Sequence, residues 1–108
     1  MMNFGEYEYQ ATEFARYPEK VGLFYTALGL AGEAGEYADK IKKVIRDHDS
    51  DPSVLRDDLI AELGDVLWYL QECARQLNVS LEEVAVRNIN KLSSRLVRNV
   101  LHGSGDNR

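Results

Sequence analysis

The chain has 108 residues, the length of one domain with a modest core, and 44% hydrophobic against 29% charged residues excludes a disordered chain. No apolar run approaches the ~18 residues of a membrane span, and the single cysteine, Cys73, excludes an internal disulfide framework or a Cys-rich zinc site. Eighteen Asp and Glu against 13 Lys and Arg give a net charge of −5, the wrong sign for a protein that works by covering nucleic-acid phosphates.

Apolar residues recur at helical spacing along the whole chain, and only Pro18 and Pro52 interrupt it. Phe4, Tyr7, Ala11, Phe14 and Ala15 predict a first helix ending near Tyr17-Pro18. A second helix is expected from about Leu23 to Arg46, through Ala27, Leu30, Ala34, Ala38, Ile41 and Ile45, and it stops in the polar loop Asp47 to Asp51. Asp51-Pro52 reads as an N-cap with proline at the first helical position, opening a third helix with Leu55, Leu59, Leu63, Val66 and Leu70. Ser80-Leu81-Glu82-Glu83 is a capping-box signature for a fourth helix, with the stripe Leu81, Ala85, Ile89, Leu92 and Leu96. His102 to Arg108 reads as a loop. The expected fold is therefore all-α, a four-helix-bundle-type single domain over residues 1–108. Leu67 to Leu70, with Trp68 among them, are apolar on more than one side, which favours a homo-oligomer whose interface covers the surplus. The acidic, aromatic N-terminus is unlike a signal peptide, and the expected location is the cytoplasm.

The second helix carries Gly29, Gly32 and Gly35, which together forgo ~3 kcal/mol of helix propensity relative to alanine. Close approach of another backbone or a ligand is the usual compensation. Glu33 and Glu36 sit in this run at i, i+3, about 60° apart on one side of the helix. Glu62-Leu63-Gly64-Asp65 repeats the arrangement on the third helix. Both pairs border apolar stripe positions, so they face the groove between two helices that pack antiparallel. Four carboxylates there repel one another and resist desolvation, and a divalent cation removes both difficulties. All-oxygen ligation selects Mg²⁺, with Mn²⁺ as a substitute. A di-iron carboxylate site needs Glu-x-x-His, and neither His48 nor His102 follows a glutamate by three. A lone Glu-x-x-Glu is a weak signal; two pairs beside glycines on consecutive helices are far more specific.

Gly29-Leu30-Ala31-Gly32-Glu33-Ala34-Gly35-Glu36 and Glu62-Leu63-Gly64-Asp65-Val66-Leu67-Trp68-Tyr69 resemble the MazG-like all-α nucleoside triphosphate pyrophosphohydrolases. That family's pattern is Glu-x-x-Glu, a variable gap (25 residues here), then Glu-x-x-Asp. The likeness runs from about Tyr9 into the tail and takes in Asn88 to Leu92 and Gly103 to Arg108. It implies Mg²⁺ ligation by Glu33, Glu36, Glu62 and Asp65, and hydrolysis of a nucleoside triphosphate to the monophosphate and pyrophosphate. It also implies a nucleoside pocket completed by a neighbouring chain in a homodimer or homotetramer.

The residues suit that chemistry. A triphosphate meets an acidic protein through metal, and a carboxylate not engaged by it, Glu33 or Glu36, takes the proton of an attacking water. Asn88, Lys91 and Arg95 share one face of the fourth helix, and Lys40 follows Glu36 by four, so these four are the candidates for the outer phosphates. The bland readings are surface ion pairs for Lys40 and Arg95, and packing for Tyr37 and Tyr69. The functional alternative is a non-catalytic helical interaction module that keeps the acidic cluster as a metal-binding or structural feature.

Overall fold

The structure, a computed structural model, describes residues 1–108. It contains four α-helices and no strand: α1 (Phe4–Ala11), α2 (Gly22–Asp47), α3 (Arg56–Gln76) and α4 (Leu81–Val97). The all-α expectation stands, and no helix is long and apolar enough to cross a membrane.

The helix ends follow local chemistry. Asn3 caps α1 by accepting from Glu6 N–H at 2.9 Å. α1 stops at Ala11, earlier than apolar spacing predicts. A 3₁₀ turn (Thr12–Phe14) follows, then an extended stretch through Ala15 and Pro18. The physical reason is Tyr17. Extended backbone here lets its ring stack on Tyr25 at 5.0 Å and its hydroxyl reach Glu72 at 2.5 Å. The third helix also begins later than expected. Asp51 does cap its first turn, accepting from Ser53 N–H at 3.0 Å, but Pro52–Leu55 is 3₁₀ and α3 starts at Arg56. Ser80 accepts from Glu83 N–H at 3.0 Å, which is half of the expected capping box. Glu83 turns instead to Arg87 at 2.7 Å, and Glu8 of α1 takes the Leu81 N–H. α1 thereby caps α4 with a carboxylate, the charge that a helix N-terminus favours.

α2 and α3 form the main packing unit. Gly22 faces Gln76, Gly29 faces Tyr69 and Lys40 faces Glu62, so the two run antiparallel. α1 lies across α3, where the Trp68 indole N–H donates to Ala11 O at 3.0 Å. Trp68 is half-buried within the chain. Beneath this region lies a buried polar knot. Glu72 is fully buried and accepts from Arg75 Nη2 at 2.9 Å, from Arg75 Nε at 3.1 Å and from Tyr17, while Gln76 donates to the Tyr17 hydroxyl at 3.0 Å. α4 packs on α1 and α3 and not along α2.

The single chain is open. Its radius of gyration is 16.6 Å, against about 13 Å for a compact domain of this length. It exposes 7941 Å², where a self-contained monomer of 12.3 kDa exposes about 6,100 Å². The surplus is apolar and continuous along helix faces: Phe24, Leu28 and Ala31 on α2, and Val86, Ile89 and Leu96 on α4, are all exposed.

Candidate metal centre

Glu33 of α2 meets Glu62 and Asp65 of α3 across the hairpin. One carboxylate oxygen from each lies within 4.8 Å of the others, a span that one ion bridges. Glu62 is the innermost. Its Oε1 stands 3.7 Å from Lys40 Nζ, and its Oε2 is buried with no hydrogen-bond partner. A buried carboxylate oxygen without a partner is costly, and a cation is the group that satisfies it. Glu33 shows the same tension: desolvation first, then the charges of Asp65, Glu62 and Glu36, push its carboxyl above the ordinary range. Tyr7 and Tyr69 flank the cluster, and both phenols are pushed up by burial first, then Tyr7 by the charge of Asp65 and Tyr69 by Tyr25 and the charge of Glu33. The donor set is three carboxylates with no nitrogen or sulfur, the set a hard divalent ion takes, so these residues fit the metal that the sequence calls for.

Three of the four expected ligands converge. Glu36 lies on the exposed side of α2, outside the cluster but close enough to raise Glu33. Lys40 is at the site. Asn88 and Lys91 are not brought to it within one chain: they line an open groove with Leu77 and Val79 beyond the end of α3. Leu77 is twelve residues past Asp65, about 18 Å along the helix axis. Arg95 is buried, and its guanidinium is engaged by Asp106.

The glycines divide in an unexpected way. Close approach explains Gly29, where a Cβ would overlap the Tyr69 ring. At Gly32, Gly35 and Gly64 a Cβ would meet nothing within 4 Å, so the chain itself supplies no compensation there. Tyr7, which reaches the acidic cluster from α1, was not legible as a site residue. Its helical spacing matches a packing role, and only the crossing of α1 over α3 brings it near Asp65.

The MazG nucleotide pyrophosphohydrolase domain matches residues 25–98, a segment that contains all four acidic positions together with Asn88, Lys91 and Arg95. The chain belongs to the MazG family. It is also similar to the Gene 37 protein of Mycobacterium phage L5, with 50% identity covering 94% of this chain and 96% of that protein. No solved structure matches it.

Proposed function

We propose that this MazG protein hydrolyses nucleoside or deoxynucleoside triphosphates to the monophosphate and pyrophosphate, and that it depends on Mg²⁺. The observation that carries the reading is the convergence of Glu33, Glu62 and Asp65 around a buried, unpartnered Glu62 oxygen. These three residues would hold the ion, with Mn²⁺ able to replace it. When bound, the ion polarises phosphoryl oxygens and offsets the negative charge that a triphosphate brings.

The remaining chemistry belongs to the chain. Glu36 is exposed and outside the cluster, which leaves its carboxylate free to act as general base where Glu33 is not. It takes one proton from water as the water oxygen bonds to the α-phosphorus. The α–β phosphoanhydride bond breaks and pyrophosphate leaves with the bonding electrons. Lys40 is placed to exchange its contact with Glu62 for a substrate phosphate once the carboxylate is engaged elsewhere.

The working form in this reading is a homo-oligomer, dimer or tetramer. The surplus of about 1,800 Å² per chain matches the area an obligate homodimer buries on each partner. A second copy packed on the open α2 and α4 faces would close the bundle and cover Gly32 and Gly35. It would also carry Asn88 and Lys91 of one chain toward the carboxylates of the other. A cytoplasmic location, where triphosphates and Mg²⁺ coexist, fits this reading, and the acidic surface makes a nucleic-acid polymer a poor partner.

The test is product analysis. Purified protein is incubated with Mg²⁺ and each NTP and dNTP, and monophosphate, pyrophosphate and orthophosphate are quantified. Equimolar monophosphate and pyrophosphate are expected. Metal binding without turnover would favour the non-catalytic module, and orthophosphate as first product would place the cleavage at a different bond.

A further inference from the structure

The turn after α4 is a built structure. α4 ends in a Schellman motif, with Val100 N–H donating to Arg95 O at 2.9 Å and Asn99 N–H to Leu96 O at 3.1 Å, and Asn99 takes the left-handed position at φ 58°. Arg108 then folds back under the turn. Its guanidinium donates to the carbonyls of Val100 at 2.9 Å, of Leu101 at 2.8 Å, and of Gly105. Gly103 makes room for it, since a Cβ there would fall 2.7 Å from Arg108 Cδ. Gly105, at φ +82°, supplies the reversal that a larger residue resists. The result is to aim Asp106 back at α4. Its Oδ1 accepts from Lys91 Nζ at 3.2 Å and Arg95 Nη2 at 3.1 Å, and its carbonyl accepts from Arg95 Nη2 at 2.7 Å.

The two cations differ in access. The Arg95 side chain is 6% exposed, with Nη2 bonded to Asp106 and Nε buried without a partner, whereas Lys91 is 41% exposed and uses one of its three donors on Asp106. The trio of two cations and one carboxylate keeps a net charge of +1, so it still attracts an anion. A lysine ammonium on its flexible stem must be ordered before it can grip a phosphate, and a partner that orders it in advance improves binding.

We propose that Asp106 is a positioning residue that fixes Lys91 Nζ for a substrate phosphate, and that Arg95 anchors Asp106 rather than touching substrate. This rests on the triphosphate reading above, in which a second copy brings Lys91 to the carboxylates and makes a phosphate the anion that it meets. Hydrogen bonds from Arg95 and then Lys91 hold the Asp106 carboxyl below its ordinary range, so it is ionised at neutral pH.

The experiment is calorimetric titration of Mg²⁺-loaded protein with inorganic pyrophosphate. It is run on the wild type, Asp106→Asn, Asp106→Glu, Lys91→Ala and the Asp106→Asn/Lys91→Ala double variant, beside kcat and KM for the best triphosphate. Asp106→Asn is expected to weaken pyrophosphate binding about tenfold and to raise KM in step, with kcat held within about twofold. Asp106→Glu restores part of the loss, and Asp106→Asn adds nothing when Lys91 is already Ala. Unchanged binding in Asp106→Asn overturns the proposal, and so does tighter binding, which would make Asp106 a competitor of the phosphate. An equal loss in the Lys91→Ala background also overturns it, because the turn would then act structurally. A wild-type protein that neither binds pyrophosphate nor turns over any triphosphate overturns the parent reading, and this one with it.

Discussion

The Tyr69 ring of α3 lies against Gly29 of α2, in the space a Cβ at that position would fill. Gly29 is one turn before Glu33 and Tyr69 one turn after Asp65, so this contact sets the separation of α2 and α3 beside the carboxylates. Gly29→Ala gains about 1 kcal/mol of helix propensity but forces the ring aside at about 1–3 kcal/mol. Urea unfolding should show net destabilisation, and Mg²⁺ titration should show weaker binding.

Glu33 is held above the ordinary carboxyl range in the folded chain. The folded state therefore binds this proton more readily than the unfolded chain does. Without metal, that contribution is most favourable below the unfolded value of 4.5 and is lost as pH rises through the higher folded value. In chelator, Glu33→Gln should raise the thermal midpoint above that of the wild type near neutral pH. With Mg²⁺ the order should reverse, because only the wild type gains from the ion. Differential scanning calorimetry in the two buffers reads both effects.

The polar knot around Glu72 holds the extended segment before α2 onto α3. Removing the carboxylate takes from Arg75 and Tyr17 the buried acceptor that both donate to, and Glu72→Ala should cost about 3–5 kcal/mol of unfolding free energy. Tyr17→Phe removes only the hydroxyl and should cost about 1–2 kcal/mol. Equilibrium denaturation distinguishes the two.

Leu28 is 75% exposed and Leu96 67% exposed in the single chain. If a second copy covers these faces, sedimentation equilibrium of the wild type gives a dimer or tetramer mass, and Leu28→Asp or Leu96→Asp shifts it to the monomer. A monomeric wild type would remove the second copy from the account.

Much of this was legible in the sequence because it is periodic. Glu33, Glu36, Glu62 and Asp65 announce themselves by i, i+3 spacing beside glycine, and antiparallel packing of two helices brings three of them together and leaves Glu36 outside. The N-caps at Ser80 and Asp51 are likewise local signals that act within three residues. What failed to read out depends on contacts far apart in the chain. Phe14 and Ala15 keep helical spacing beyond the true end of α1, because the stop is dictated by Tyr17 reaching Glu72, 55 residues away. Glu72 itself looks like an ordinary surface glutamate until Arg75 and Tyr17 close over it. Arg95 shares a face with Lys91, yet a turn held by backbone carbonyls buries one and leaves the other open, and carbonyls carry no sequence signature.

The most direct measurement is pyrophosphate release as a function of Mg²⁺ concentration, for the wild type and for Glu62→Gln. The account predicts saturable activation of the wild type by Mg²⁺ and abolition by chelator. It predicts a loss of about 10²-fold or more in Glu62→Gln that added Mg²⁺ does not restore. Wild-type turnover that persists in chelator, or a Glu62→Gln variant with an unchanged Mg²⁺ response, would contradict the assignment of the metal to this carboxylate cluster.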